Sequence, residues 1–458
     1  MRRFTGVRLA LSILTVFALV KGAGAAEPSR RRISLPEALA IAMQHNRPLR
    51  AADLQGDSAQ SQVGVARGAM LPRLDAIENY SETNNPVLVF SNLLAQQEFT
   101  QNDFALSRLN HPATLSNFQS QVRLSFPVFA GGRLLAGFRA ARFGAEAERW
   151  RAARTRDETA FAVINAYYTA VLAEQRKGVI ERALDAARSH LTQAQNLFAY
   201  GKAVKADVLR TEVAVGTLEE QQSDAESQLR ISWAALAHTL GDEDESLAPI
   251  WNPDALAGVA PSAAEPLEKL VAEAAAQRLE IKIAAAQVKQ AEQGVTIARA
   301  DYLPSVNVAT TYENDSEQLT RGGNNFAVFA FAQVNLFNGL ATKSKVDAAQ
   351  AERARAKDLA DDLKHAIALE VESAYRTLGA AEKNVQVAGT NYRYAGEALR
   401  ILEDRYGAGL ATNLDVLEAQ AARQQADMGE VHAQVAVFVA RAALDLSIGR
   451  SPAHLSGR

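Results

Sequence analysis

The segment "FQSQVRLSFPVFAGGR", residues 118–133, contains the change of pattern on which the fold depends. Up to Val128 apolar and polar side chains alternate, with Phe118, Val122 and Leu124 in the apolar row. A period of two is the pattern of a β-strand with one apolar and one hydrated face. Two glycines follow, and beyond them the hydrophobic period becomes helical. The segment therefore predicts a strand that leads directly into a helix.

Three further segments have strand character. They are "LPRLDAIENYSE" (71–82), "LPSVNVATTYE" (303–313) and "FAVFAFAQVNLF" (326–337). Together with residues 118–128 they predict two β-hairpins, 71–129 and 303–337. Each strand is about 11 residues long, which is the length that a tilted strand needs to cross a bilayer.

The hairpins belong to two halves of the chain that repeat each other. "VGVARGAMLPRL" (63–74) corresponds to "VTIARADYLPSV" (295–306) at a shift of 232 residues, whereas Gly201 corresponds to Gly409 at a shift of 208. The first half therefore carries 24 extra residues within 84–112, at the tip of its hairpin. Their phenylalanines and leucines fit a folded loop, and a simple extension of the hairpin fits equally well.

A long helix is predicted after each hairpin. Apolar residues recur there at alternating intervals of four and three in both halves: Ile180, Leu184, Ala187, Leu191, Ala194 and Phe198, then Ala388, Tyr392, Ala395, Leu399, Leu402 and Tyr406. An average interval of 3.5 residues is the coiled-coil repeat. We predict helices over 131–199 and 339–406, each roughly 100 Å long. Return helices are predicted over 203–240 and 411–448, after a turn at a glycine.

The first 26 residues have the pattern of a secretory signal peptide, with basic residues, an apolar run from Leu9 to Val20 and then small residues. The run is too short for a membrane-spanning helix, which needs roughly 20 residues. We expect the first repeat at 27–241, a linker at 242–266, the second repeat at 267–449 and a tail at 450–458. Each repeat is expected to begin with one helix ahead of its hairpin.

The composition excludes several classes of protein. The chain has no cysteine, so it lacks disulfides, thiolate metal sites and the residue that carries an N-terminal lipid anchor. A net charge of −3 gives no reason to expect nucleic acid as a partner. The seven histidines include no i, i+4 pair, and neither a phosphate-binding glycine loop nor a nucleophile elbow is found in the sequence. We expect no enzymatic activity, no cofactor and no metal site.

Four strands are too few to close a membrane barrel, since known barrels begin at about eight strands. An open sheet edge in lipid would leave backbone groups unpaired, at a cost of several kcal/mol each. If the strands span a membrane, several chains must therefore share one barrel. The alternation of apolar and polar residues in the strands is equally compatible with a small soluble sheet that is covered by helices.

The order of these features resembles the TolC family of outer-membrane efflux proteins, over nearly the whole chain after the signal peptide. The matching features are Leu-Pro before each first strand, "FPVFAGG" and "NLFNG" after each second strand, two long helices and two glycine tips. The resemblance implies an α+β membrane protein: a homotrimer whose 12-stranded β-barrel, four strands per chain, lies in outer-membrane lipid and continues as a periplasmic α-helical barrel. In this arrangement the polar row of the quoted strand faces the lumen: Gln119, Gln121, Arg123 and Ser125.

The resemblance also implies a periplasmic entrance near the second glycine tip. Asp415 and Glu418 are one helical turn apart and share a face, and a ring of three copies of each would favour cations. Alternatively, Thr412 and Asp415 form a capping box that only stabilises the helix start, and both roles are compatible. Asp207 is the counterpart of Asp415 in the first half, although Arg210 stands where the second half has Glu418.

Tyr406 matches a family tyrosine that helps to hold the entrance shut, and it is also the next heptad position after Leu402. The basic residue that the family places two positions after the tip glycine is here Ala411. We therefore expect other contacts to hold the entrance closed, with Lys202 and Lys205 as candidates. The resemblance makes the two turns the docking tips for a periplasmic adaptor: Tyr200, Gly201 and Lys202, then Ala408, Gly409 and Leu410.

The leading hypothesis is an exit duct in the outer membrane, passively conducting substrates delivered by a periplasmic adaptor and an inner-membrane pump of RND or ABC type. A type I protein-secretion duct would have nearly the same sequence features. A periplasmic coiled-coil scaffold without a pore is the alternative from a different class.

Overall fold

A computed structural model describes residues 30–242, 246–253, 265–319 and 321–452 of the chain. The predicted signal peptide, most of the linker after Pro253 and the last six residues of the tail lie outside the described residues. The first half contains β1 (Arg31–Ile33), α1 (Leu35–His45), α2 (Arg47–Gly68), β2 (Arg73–Thr83), α3 (Pro86–Ala95), α4 (Leu106–Asn110), β3 (Leu115–Ala130), α5 (Arg133–Ala199) and α6 (Lys205–Leu240). The remainder contains β4 (Leu247–Pro249), α7 (Leu267–Gln277), α8 (Leu279–Arg299), β5 (Ser305–Gln318), β6 (Arg321–Gln333), α9 (Ala341–Gly407) and α10 (Asn413–Ser447).

The four long strands form one antiparallel sheet in the order β2-β3-β5-β6. Both predicted hairpins are present, and β3 joins them by pairing with β5. The prediction for the last strand was wrong at its end, because β6 stops at Gln333 rather than at residue 337. Gln333 pairs with Ser305, the first residue of β5, and Pro304 before it has no N–H to continue the ladder. Within the described sheet, β2 and β6 are edge strands with one unpaired side each.

Four helices continue the four strands in the same lateral order. The chain passes from α2 into β2, from β3 into α5, from α8 into β5 and from β6 into α9. The helices pack in the order α2-α5-α8-α9, which repeats the strand order above them. Farther from the sheet, α6 packs against α5, and α10 packs between α5 and α9. The molecule is therefore a sheet and a helical layer joined end to end.

The helices α5 and α9 are 67 residues each, and their return helices are 36 and 35 residues. At about 1.5 Å per residue, each long helix extends roughly 100 Å. Their observed bounds agree with the predicted ones to within two residues. The heptad pattern and the glycine turns were sufficient to place them.

The single helix predicted at the start of each repeat is wrong, because each is two helices. The first break lies at Asn46, where the backbone is extended (ψ 119°). The Asn46 side-chain oxygen caps α2 by accepting the Leu49 N–H at 2.9 Å. Pro48 in the first turn of α2 favours a helix start there. The second break lies at Arg278 (ψ 127°), where no proline is present. Its buried guanidinium instead pairs with Glu280 and Glu370, and it donates to the Ser447 carbonyl at 2.9 Å.

A small parallel sheet of β1 and β4 joins the start of the chain to the linker, and the sequence did not predict it. The Tyr167 hydroxyl donates to the Ile250 carbonyl at 2.7 Å and accepts from the Ile250 N–H at 3.0 Å, which holds this sheet against α5. Burial raises the pKa of Tyr167 to about 12. Tyr168 stacks on Phe438 of α10 with ring centroids 4.8 Å apart. Both tyrosines belong to the largest hydrophobic core, which lies at the middle of the helical layer.

The insertion at 84–112 is a folded loop, the first of the two alternatives that the sequence left open. It contains α3, a 3-10 turn at Gln101–Phe104 and α4. The rings of Phe90, Phe99 and Phe104 pack edge to face in series, with centroids 4.9 and 5.0 Å apart. Among the helices that the structure describes, none has the length and apolar character to cross a membrane.

Candidate functional site

The sheet has one polar face, formed by the predicted lumen residues of β3. Gln121 donates to the Glu313 carboxylate at 3.0 Å and accepts from Arg123 at 2.9 Å. Asn79 of β2 lies opposite Gln119 and donates to its side-chain oxygen at 3.3 Å. Ser125 belongs to the same row, opposite Arg73 and Ala309. Side chains from three adjacent strands therefore form one hydrogen-bonded polar surface.

The opposite face of the sheet is apolar over the half that lies next to the helices. One row of laterally paired residues crosses all four strands: Ala76, Val122, Tyr312 and Phe326. The next row contains Leu74, Leu124, Thr310 and Val328. Leu74 and Phe326 are 68% and 78% exposed in the single chain. An apolar surface of this size needs a covering medium or partner.

The two glycine tips have the same backbone geometry. Gly201 and Gly409 adopt left-handed conformations with φ of 72° and 73°. In the first tip the Lys202 N–H donates to the Leu197 carbonyl at 2.8 Å, and in the second the Leu410 N–H donates to the Arg405 carbonyl at 2.7 Å. This is the hydrogen-bond pattern with which a left-handed glycine ends a helix. Tyr200 and Leu410 are strongly exposed at the tips, and Ala408 lies in the turn beside Gly409.

Asp415 forms the capping box that was one of its two predicted roles. Its carboxylate accepts the Thr412 N–H and the Thr412 hydroxyl, both at 2.7 Å, and the Asp415 N–H donates back to the hydroxyl at 3.2 Å. The hydroxyl and backbone hydrogen bonds from Thr412 lower the pKa of Asp415. Glu418, one turn along α10, is exposed. Asp415 therefore keeps its negative charge at neutral pH near the second tip.

A buried polar cluster joins the two helix hairpins close to the tips. His190 of α5 has its Nε2 2.7 Å from the side-chain oxygen of Asn413 on α10. The Asn413 amide also donates to the Asp207 carbonyl of α6 at 3.2 Å, and Thr211 is 3.2 Å from the same side-chain oxygen. All three polar side chains of this cluster, His190, Thr211 and Asn413, are buried. The cluster ties α10 to both helices of the first hairpin.

Tyr406 is buried beside this cluster, with its ring centroid 5.0 Å from that of His190. Its hydroxyl has no hydrogen-bond partner among the described residues. Burial is the main cause that raises the pKa of Tyr406, and the nearby Asp207 adds to it. Lys202 and Lys205, the candidates for contacts that hold the entrance closed, form no ion pair within the described part of the chain. Asp207 instead lies 3.9 Å from Arg210 on its own helix.

Sequence reasoning missed the His190–Asn413 contact. His190 was one of seven scattered histidines, and Asn413 follows a capping threonine, where a polar residue is unremarkable. At the 208-residue shift their counterparts are Ala398 and Lys205, so the repeat contains no second copy of the pair. His190 directly precedes the apolar heptad position Leu191, so the heptad pattern gave no signal for this contact.

Farther from the tips than the cluster, the hairpins border a half-open pocket of about 420 Å³, lined by alanine and leucine side chains together with polar and charged ones. Arg423 stacks on the Tyr392 ring and pairs with Asp427 at 2.6 Å on the cavity wall. Burial raises the pKa of Asp427 and of Glu430, one turn farther along α10. The hairpins are thus in close contact at the cluster and less tightly packed above it.

The sequence model of a family described as outer membrane efflux protein matches residues 38–242 and 270–450. The chain belongs to the outer membrane efflux protein family. This family member is 27% identical to Protein CyaE of Bordetella pertussis over 395 residues, which are 85% of this chain and 78% of CyaE. It is 24% identical to the pyoverdine export outer membrane protein OpmQ of Pseudomonas aeruginosa over 426 residues, 91% of this chain and 85% of OpmQ.

Solved structures show the same fold for this efflux protein. The Campylobacter jejuni CmeC outer membrane channel superposes with a TM-score of 0.78 at 16% identity, covering 91% of this chain and 85% of CmeC. The open state of the Neisseria gonorrhoeae MtrE outer membrane channel gives a TM-score of 0.70 at 19% identity, covering 91% and 89%. The predicted TolC-type fold, with a sheet domain and a helical domain, is confirmed. The chain is an outer-membrane exit channel for efflux or secretion.

Proposed function

We propose that three copies of this chain form one continuous duct, with a 12-stranded β-barrel above a barrel of helices. The observation that carries the proposal is the coincidence of edges: β2 and β6 end the sheet on the sides where α2 and α9 end the helical layer. Unpaired strand edges in lipid cost several kcal/mol per backbone group. A neighbouring copy that pairs its β6 with this β2 would remove that cost and extend both layers together.

The two faces of the sheet support the assignment of lumen and lipid. The hydrogen-bonded row around Gln121 and Glu313 would line a water-filled lumen, and the rows around Val122 and Leu124 would contact the outer-membrane lipid. A roughly 100 Å helix would reach well into the periplasm. The chain has no cysteine for a lipid anchor, so the barrel alone would hold it in the membrane.

The tips would be the periplasmic end of the duct. We propose that Tyr200, Gly201 and Lys202, with Ala408, Gly409 and Leu410, contact the adaptor that connects the duct to an inner-membrane pump of RND or ABC type. Asp415 and Glu418 would form acidic rings at the entrance, with Asp207 and Tyr406 beside them. The capping role of Asp415 is compatible with a place in such a ring, because its carboxylate keeps its charge.

Single-channel recording in planar bilayers, together with fractionation of outer membranes, tests the duct. We expect a conducting, cation-preferring trimer in the outer-membrane fraction. A protein that neither associates with membranes nor conducts would instead be the periplasmic scaffold.

The acidic rings are tested by the double variant Asp415→Asn with Glu418→Gln. Asparagine still accepts the cap hydrogen bonds, so the helix start is kept while the charge is removed. We expect the cation preference, measured as a reversal potential in a salt gradient, to fall clearly. Glu226→Gln removes one charge from α6 roughly 30 Å from the tip and should leave it unchanged. An unaltered preference in the double variant would exclude these carboxylates from the constriction.

Small molecules are the cargo that we propose, since the relative OpmQ is described as a pyoverdine exporter. A protein-secretion duct is the competing possibility. Deletion of this gene should sensitise cells to small toxic compounds if the duct serves efflux, and should abolish export of a specific protein if it serves secretion.

A further inference from the structure

We propose that the folded insertion, residues 84–112, is a cap that docks inside the barrel and narrows its outer mouth. The inference rests on the proposed function, because it needs the polar face of the sheet to be the lumen. The sheet register, two groups of contacts and one glycine all place the cap on that face.

The first contact group is a buried chain of amides that ends on a carboxylate. The Gln96 amide donates to the Asn117 side-chain oxygen at 2.8 Å and to the Ser116 carbonyl at 3.0 Å. Asn117 in turn donates to Asp315 at 2.9 Å. Gln96, Asn117 and Asp315 are only 2%, 4% and 1% exposed. Asn117 and Asp315 alternate with the same period as Gln119 and Gln121, so they lie on the polar face.

The second contact group joins the end of α3 to the start of β6. The Asn325 side chain donates to the Ala95 carbonyl at 3.1 Å, and Gln97 donates to the Asn324 carbonyl at 3.4 Å. Gly323 lies directly opposite Asp315 in the register. A Cβ atom on Gly323 would be 2.2 Å from the Ala95 carbonyl oxygen, so any side chain there would collide with the cap backbone. The cap and the luminal side of β6 are therefore in direct contact.

The cap is a folded body rather than a loose strand connection. Thr100 and Asp103 form a capping box, and Arg108 pairs with Asp103 at 3.1 Å. The hydroxyl and backbone hydrogen bonds from Thr100 lower the pKa of Asp103 further than the pairing with Arg108 does. Val89 of α3 is buried as well. Three such bodies on the inner wall of one barrel would occupy much of its outer cross-section.

Access to the lumen from outside the cell tests the cap. Thr83 and Leu115 are paired in the hairpin register, so an Asn-Gly turn can replace residues 84–114 and leave both strands intact. The reporter is Ser125→Cys on the polar face, in a chain that has no cysteine of its own. A bulky, membrane-impermeant maleimide is added to intact cells. We expect the labelling rate of this cysteine to rise about fivefold or more without the cap, because a narrow pore excludes bulky solutes.

Point variants test the effect of displacing the cap from the sheet without deleting it. Gly323→Leu should displace the cap and raise the labelling rate, and Gln96→Ala should raise it less by removing two hydrogen bonds. Gln101→Ala, an exposed cap residue without a described contact, is the matched control and should not change the rate. The outer-membrane level of each variant is measured in parallel, and Gln96→Ala keeps the test valid if Gly323→Leu fails to assemble.

Two outcomes distinguish failure of the cap from failure of the barrel. If Ser125→Cys is labelled at the same rate with and without the cap, the cap inference is wrong and the barrel stands. Leu124→Cys lies on the apolar face and should stay unlabelled in both forms. If Leu124→Cys is labelled and Ser125→Cys is not, the assignment of the two faces is wrong, and the proposed duct fails with it.

Discussion

The side chains of His190 and Asn413 form the contact that joins the two helix hairpins near their tips, at 2.7 Å. Because the Asn413 oxygen accepts here, the His190 Nε2 carries the hydrogen and donates. Asp415, whose carboxylate forms the capping box with Thr412, is only two residues away. The start of α10 is therefore stabilised both by its own cap and by a contact with the neighbouring hairpin. Near the tips these residues, rather than Lys202 or Lys205, provide the polar contact between the hairpins, and farther along α10 the Gln424 amide donates to the Gln221 side-chain oxygen at 2.8 Å.

Substitution of Asn413 by alanine should loosen the tip. It leaves the buried His190 nitrogen without its acceptor, at a cost of about 1–3 kcal/mol, while the Thr211 hydroxyl keeps its hydrogen bond to the Asp207 carbonyl at 2.9 Å. We expect a lower melting temperature and a higher resting conductance in planar bilayers. Leu414→Ala, next in sequence and half exposed, should change neither strongly. A resting conductance equal to that of the parent chain would show that the cluster does not hold the entrance.

The helix breaks at Asn46 and Arg278 lie at equivalent places in the two halves but are formed by different contacts. Proline and an asparagine cap end α1, whereas a buried arginine that binds two glutamates ends α7. Just beyond α10, Arg450 repeats the second strategy by pairing with Glu265 at 3.0 Å and Glu273 at 2.7 Å. These pairs hold α7 against the end of α10.

The Glu265–Arg450 pair predicts a pH dependence of stability. The hydrogen bonds from Arg450 and then Lys269 lower the pKa of Glu265 from 4.5 to about 2. A carboxylate whose pKa is lowered by folding stabilises the fold above its unfolded pKa, and this contribution is lost as the pH falls through the folded value. The melting-temperature difference between the parent chain and Glu265→Gln should therefore be full at pH 7 and shrink between about pH 4.5 and pH 2.

Its control is Glu268→Gln, which removes a neighbouring exposed charge. That variant should melt like the parent chain at neutral pH. A Glu265→Gln difference that persists unchanged to pH 2 would mean that packing, and not the charge pair, accounts for it.

The whole molecule is a two-faced sheet set end to end on a helical layer of the same lateral order. Neither layer is closed in one chain, and both are open at the same two edges. Assembly, the polarity of the two faces and the position of the cap are therefore connected: each depends on which face of the sheet becomes the lumen.

Adjacent residues of β6 test the two faces with the same substitution. Val328 lies in an apolar row and Ala327 on the polar face, opposite Thr311. Arginine on the lipid face of a membrane barrel costs about 2–4 kcal/mol near the bilayer midplane, whereas lumen positions tolerate charge. We expect Val328→Arg to reduce strongly the yield of heat-stable trimers in outer membranes and Ala327→Arg to reduce it little. Equal losses in the two variants would contradict the assigned orientation.

Local sequence by itself determined the four strands, the two long helices and the glycine tips. Periods of 2 and 3.5 residues and a glycine in the left-handed region depend on neighbouring residues alone. The same information placed Gln119, Gln121, Arg123 and Ser125 on one face. It also left open whether the insertion folds, and it misplaced the end of β6.

Only the tertiary structure decided the contacts between distant segments. His190 and Asn413 are 223 residues apart, and Asn117 and Asp315 are 198 apart, so no local pattern relates them. The break at Arg278 likewise depends on Glu370 and on the end of α10, and β1 depends on β4 for its pairing. Hydrogen bonds between buried polar groups form only where folding brings a matching donor and acceptor together. Periodicity records which face of an element is buried, and it contains no information about which distant residue will lie against that face.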